Sequence, residues 1–90
     1  MAEGKLTVSE DALVAHLDGE AVLLHAGSKD YYRLNETGQV IWRVLEQGGD
    51  EDIVVAALTG AFEVDAEEAR TEARRIIAEL FAAGLLVTGA

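Results

Sequence analysis

The hydrophobic and polar positions change period once along the chain, inside the stretch from residue 31 to residue 42. Tyr31, Tyr32, Arg33 and Leu34 mix aromatic and aliphatic with polar side chains and are rich in strand formers. From Gly38, the positions Ile41, Trp42 and Leu45 follow at i+3, i+4 and i+7, which is one helical face. Between the two patterns, Asn35 offers a side-chain oxygen to the free N–H groups of a helix start. Glu36 sits where the helix dipole favours an acid. Before this junction the pattern predicts strands, and after it helices.

Upstream, residues 12–25 read as a hairpin around Asp18-Gly19. A two-residue loop sets Leu17 against Glu20, Ala15 against Val22 and Leu13 against Leu24. The face carrying Leu13, Ala15, Leu17, Val22 and Leu24 is expected to pack inward, leaving Val14, His16, Leu23 and His25 on the other. Residues 26–30 lead into the strand at 31–34 and complete a three-stranded antiparallel meander with an exposed edge. Residues 1–11 are polar and expected to be half-ordered, although Leu6 and Val8 suit a short strand.

Downstream, a first helix is expected over residues 35–47, stopped by Gly48-Gly49. A second starts at Asp50 and is expected to bury Ile53, Val54, Ala57, Leu58 and Phe62. A third starts at Asp65, where Asp65-Ala66-Glu67-Glu68 has capping-box spacing. Its inner face is Ala69, Ala73, Ile76, Leu80 and Ala83. Gly84 ends it, and Leu85-Leu86-Val87 is expected to fold back onto the core. Three strands followed by three helices make an α+β order, resembling a winged helix-turn-helix. With 90 residues, the chain reads as a single domain, 1–90, with an ordered core over about 8–88.

Composition narrows the chemistry. Half of the residues are hydrophobic, so the chain is globular, and there is no cysteine to form disulfides, thiolate metal sites or thiol nucleophiles. No apolar run approaches the ~20 residues that span a bilayer, and no signal-peptide pattern is visible, so a cytoplasmic location is expected. The formal charge of −10 opposes nucleic acid and anionic membranes, which need local positive potential. A winged helix that reads DNA also needs bases or amides in its first turns. Here those turns carry Asp50, Glu51 and Asp52, and Asp65, Glu67 and Glu68.

No site for a reaction emerges. His16 and His25 share a hairpin face but lie roughly 14 Å apart at strand spacing, too far to share an ion. The 17 carboxylates include pairs such as Glu68 and Glu72, placed at helix starts and on polar faces rather than in apolar pockets. There is no nucleophile–base arrangement, phosphate loop or metal-ligand spacing. The expectation is a protein with no enzyme activity, metal or cofactor.

One pattern is left over. On the third helix Arg70, Arg74, Ile77 and Phe81 form a second stripe at 4-3-4 spacing beside the core face, and Arg70, Arg74 and Arg75 are three of the seven bases. Such a stripe either widens the core or forms one wall of a groove. In the second case the other wall is the edge strand 31–34, whose free N–H and C=O groups would pair with an incoming peptide.

The run Tyr31-Tyr32-Arg33-Leu34-Asn35-Glu36-Thr37-Gly38 with Ile41-Trp42 and Leu45 is similar to the core signature of PqqD-like proteins, also called RiPP recognition elements. The hairpin 17–24 and the ending Ala82-Ala83-Gly84-Leu85-Leu86 resemble the family as well, so the likeness covers about residues 8–88. The small, acidic, stand-alone form looks most like the leader-binding protein of lasso-peptide pathways. The resemblance implies a winged-helix-like fold that binds the leader segment of a ribosomally made precursor peptide. The leader would lie antiparallel on the third strand, between it and the third helix, and be presented to a processing enzyme such as a leader peptidase. Lasso leaders often carry a tyrosine followed three residues later by a proline, which suits groove pockets. Carried onto this chain, the leader-binding residues are Asp30, Tyr31, Tyr32, Arg33, Leu34, Arg70, Arg74, Ile77 and Phe81. Two alternatives remain open: an adaptor for a radical enzyme that builds a peptide-derived cofactor, and a plain interaction or dimerisation module.

Overall fold

A computed structural model describes residues 5–89 of the chain. Strands β1 (Lys5–Val8), β2 (Ala12–Leu17), β3 (Glu20–His25) and β4 (Tyr31–Leu34) precede helices α1 (Glu36–Glu46), α2 (Glu51–Ala61) and α3 (Ala66–Ala82). A last strand, β5 (Leu86–Gly89), closes the fold. Strands β2, β3 and β4 form an antiparallel sheet in that order, so both β2 and β4 are edges. Strands β1 and β5 form a separate antiparallel ribbon that pairs Val8 with Leu86 and packs on α1 and α3. The half-ordered start expected for residues 1–11 lies outside the described residues in its first four positions. From Lys5 the chain is already a strand, held by the returning C-terminal segment.

The hairpin register is the expected one: Leu17 faces Glu20, Ala15 faces Val22 and Leu13 faces Leu24. Its faces are reversed. Ala21 and Leu23 are buried and Val14 is half-buried, whereas Leu13 and Leu17 are 53% and 58% exposed. The reason lies in β4. Ala21 pairs with Leu34 and Leu23 with Tyr32, so these side chains share a face. Leu34 is followed directly by the α1 cap, and must point to the side on which α1 packs. Both hairpin faces are apolar, so amphipathicity alone did not choose between them.

The helices start where side-chain caps place them. Asn35 Oδ1 accepts from Gly38 N (2.9 Å), Asp50 Oδ1 from Ile53 N (3.0 Å) and Asp65 Oδ1 from Glu68 N (2.7 Å). Each cap satisfies a backbone donor that a helix start leaves free. Gly48, at φ +83°, ends α1, and Gly84, at φ +77°, turns the chain after α3 so that Leu85 and Leu86 are buried. Gly38 lets α1 settle on β4: a Cβ built there would stand 3.0 Å from Leu34 Cδ2. The core joins Leu23 and Leu34 of the sheet to Ile41, Trp42 and Leu45 of α1, Val54 and Leu58 of α2, and Ala73, Ile76 and Leu80 of α3. On α2 the expectation is corrected at two positions: Ile53 is 53% exposed and Val55 takes a buried place. In α3 the expected inner face holds, with Ala83 half-buried.

Candidate functional site

The free edge of β4 can be read from hydrogen bonding. His25 N donates to the carbonyl of Asp30 (2.8 Å), and antiparallel alternation then directs Asp30, Tyr32 and Leu34 at β3. The N–H and C=O groups of Tyr31 and Arg33 are left on the open edge. Their side chains stand on the outer face of the sheet, where Tyr31 is 69% exposed and Arg33 donates to Glu20 across the strands at 2.6 Å. Tyr32 and Leu34 point the other way, toward the helices.

Between β4 and α3 runs a crevice of about 180 Å3, lined by Tyr32, Arg33, Leu34, Asn35, Gly38, Arg75 and Ile76. The Tyr32 hydroxyl crosses it and donates to Glu79. Arg75 bridges Glu72 and Glu79 along α3, with its contact to Glu79 at 2.9 Å. Burial, then the hydrogen bond to Glu79 and that carboxylate's charge, push the Tyr32 phenol up to about 12. The same hydrogen bond, helped by the Arg75 charge, holds Glu79 below the usual carboxylate range. At neutral pH the Tyr32 phenol therefore stays protonated and donates to an ionised Glu79, which Arg75 also holds.

The stripe expected to face β4 lies on the other flank of α3. Arg70 is paired with Glu51 and Asp52, and Arg74 Nε donates to Glu51 at 3.0 Å, so both are tied to the start of α2. Ile77 packs at the margin of the core, and Phe81 is 41% exposed. At 100° per residue, Arg70, Arg74, Ile77 and Phe81 point to one side of the core row and Glu72, Arg75 and Glu79 to the other. The structure thus brings Tyr32, Arg33 and Leu34 together with Arg75, Ile76 and Glu79. It does not bring Arg70, Arg74, Ile77 or Phe81 to the β4 crevice. Residues 68, 72, 75 and 79 have the same 4-3-4 spacing, but they are mostly acids and resemble an ordinary solvated face.

No group of three or more acidic or histidine side chains that could hold a metal ion occurs among the described residues. His25 has a structural role: its Nδ1 accepts from the backbone N–H groups of Gly27 and Ser28 and so holds the β3–β4 turn. No described helix is long and apolar enough to cross a membrane.

Comparison with known proteins follows the same lines. The family model of coenzyme PQQ synthesis protein D (PqqD) matches residues 20–86. The solved structure of TbiB1 in complex with the TbiA(beta) leader peptide is similar, at 31% identity and a TM-score of 0.85. The match covers 93% of this chain and 98% of that one. A lasso peptide synthetase B1 complexed with the leader peptide is similar at 26% identity and a TM-score of 0.83, covering 92% and 98%. A search of curated proteins found no match.

Proposed function

The chain belongs to the PqqD family, and from that premise we propose that it is a non-catalytic protein that binds the leader segment of a ribosomally made precursor peptide. The observation that carries this reading is the open β4 edge above the crevice toward α3, in a chain similar over its length to two proteins solved with leader peptides. The leader adds antiparallel to β4 and bonds to the free groups of Tyr31 and Arg33. Its inward side chains rest against the half-buried Tyr32, above the core residues Leu34 and Ile76 and beside Arg75 and Glu79. These α3 residues take the place first given to Arg70, Arg74, Ile77 and Phe81.

Magnitudes say where affinity comes from. Four edge hydrogen bonds at ~1 kcal/mol net contribute about 4 kcal/mol. Ordering four or five leader residues costs about 1–2 kcal/mol each. Backbone pairing therefore does no more than offset ordering. Affinity rests on apolar leader side chains, each stabilising by ~1.5–3 kcal/mol when fully buried.

Presentation to a processing enzyme, such as a leader peptidase, completes the proposal. The outer sheet face supports it: Tyr31 on β4 and Leu13 and Leu17 on β2 are exposed on the same side of the three-stranded sheet, across from the helices. The family's PqqD member gives a second reading, an adaptor in the synthesis of a peptide-derived cofactor.

The test is amide exchange with a panel of synthetic leader peptides, that of TbiA(beta) among them. Protection is expected to rise at Tyr31 and Arg33 specifically, because Tyr32 and Leu34 already bond to β3. Protection gained on β2 instead, or none with any leader, would overturn the reading.

A further inference from the structure

The strand-addition reading leaves unused a cavity of about 690 Å3 where α1, α2 and α3 meet, a size within the ~300–1,000 Å3 range of ligand sites. Its floor is apolar, with Phe62, Val64 and Ala69. All the titratable side chains lining it are acids: Asp65, Glu67, Glu68 and Glu72. Asp65 is occupied in capping α3, and Glu72 is held by Arg75. Among the described residues the carboxylates of Glu67 and Glu68 have no ion pair.

Its position matters as much as its lining. Thr37, in the first turn of α1, is part of the rim, so the cavity lies just beyond the C-terminal end of β4. Along α3, Glu68 and Glu72 continue toward the cavity the row that Arg75 and Glu79 form beside the crevice.

We propose that this cavity is a second recognition subsite, taking an apolar side chain flanked by lysine or arginine. The identity of the occupant rests on the strand-addition reading. A peptide antiparallel to β4 sends its N-terminal side past Leu34 toward Thr37, so the occupant is the part of the leader that precedes the strand-paired segment. An apolar floor desolvates the central side chain, and an unpaired acidic rim attracts cationic neighbours. A second copy of this chain, at −10, would meet the same rim with like charge.

Two sets of peptides test it. The isotope-labelled chain is titrated with acetyl-Lys-Phe-Lys-amide, acetyl-Glu-Phe-Glu-amide and acetyl-Lys-Ser-Lys-amide. The first is expected to shift the amides of Thr37, Val64, Ala69 and Glu72 and to bind about fivefold or more tighter than either control. Its affinity should fall several-fold between about 0.05 and 0.3 M salt, as expected for exposed charges. The pair Glu67→Gln and Glu68→Gln, both exposed, should weaken it about threefold while the helical circular-dichroism spectrum is kept, with only a small fall in melting temperature because both acids also favour the start of α3. Equal binding of the three peptides, or shifts on another surface, overturns the subsite. In the second set, Lys-Phe-Lys stands before or after a six-residue Thr-Val repeat. The leading position should bind about tenfold tighter, since only there can both sites be engaged at once. Equal affinities overturn the assignment of the occupant. The tripeptides are too short to extend the sheet, so the two readings fail separately. Loss of the tripeptide result, with Tyr31 and Arg33 still protected by the longer peptides, removes the cavity alone. The reverse outcome removes strand addition, and the occupant's identity with it.

Discussion

Trp42 is 4% exposed, and its indole Nε1 is buried with no protein partner. It is held for its apolar volume. Trp42→Ala should cost ~3–5 kcal/mol, a large share of the stability of a small domain. Trp42→Phe should cost much less, because it keeps most of the volume and removes an unpartnered donor. Urea unfolding of both variants checks the order. The Tyr32–Glu79 contact makes a pH prediction. The Tyr32 phenol, pushed up to about 12 from an ordinary value of 10.0, binds its proton more tightly when folded. Its contribution is whole below pH 10 and is lost as pH rises toward 12. Glu79, held low, acts in the opposite sense: its contribution is present above the usual carboxylate range and is lost as pH falls through the folded value. Melting temperature against pH should therefore decline at both ends, and Tyr32→Phe should flatten both declines relative to the parent.

At the scale of elements, α3 divides into two flanks with different work. One flank ties α2 through Arg70 and Arg74, and the other faces β4 through Arg75 and Glu79. Arg75→Ala should weaken leader binding about two- to fivefold, with the effect fading at high salt, because exposed ion pairs contribute ~0–1 kcal/mol. Phe81→Ala should leave leader affinity within about twofold, since its flank lies away from the crevice. Calorimetric titration of both variants with one leader separates them, and the opposite ranking would return the groove to the first stripe. The sheet has a comparable division. Leu13→Ser with Leu17→Ser lies two strands from the leader edge and on exposed positions. The pair should leave leader binding unchanged while weakening association with a leader peptidase about tenfold or more, a loss typical of truncated interface anchors.

For the whole molecule, a charge of −10 sets the background for every encounter. The overall order of sheet and helices is like that of DNA-binding winged helices, but fold does not carry function. Helix starts rich in acids repel phosphates. No band shift with duplex DNA is expected at about 0.15 M salt, where exposed charges are screened beyond ~8 Å. A clear shift would reopen the nucleic-acid reading. The same acidity favours peptides with cationic residues over neutral or acidic ones.

Local chemistry was legible in the sequence by itself. The caps at Asn35, Asp50 and Asp65, the stops at Gly48 and Gly84, the turn at Asp18-Gly19 and the hairpin register all depend on neighbours within a few residues. The helix faces led by Trp42 and Ile76 were legible for the same reason, since a 3.6-residue period is a property of one segment. Tertiary structure decided which side of each element met its neighbours. Leu13 and Leu17 rival Val14 and Leu23 in hydrophobicity, so only the link from Leu34 into α1 turned the hairpin over. On α3, two stripes with identical spacing flank one core row. The packing of α2 on one flank and β4 on the other assigned Arg70 and Arg74 to a structural ion-pair cluster and Arg75 and Glu79 to the crevice. A helical period specifies a face only relative to its own axis. The handedness with which three helices wrap a sheet is set by the packing of all of them together.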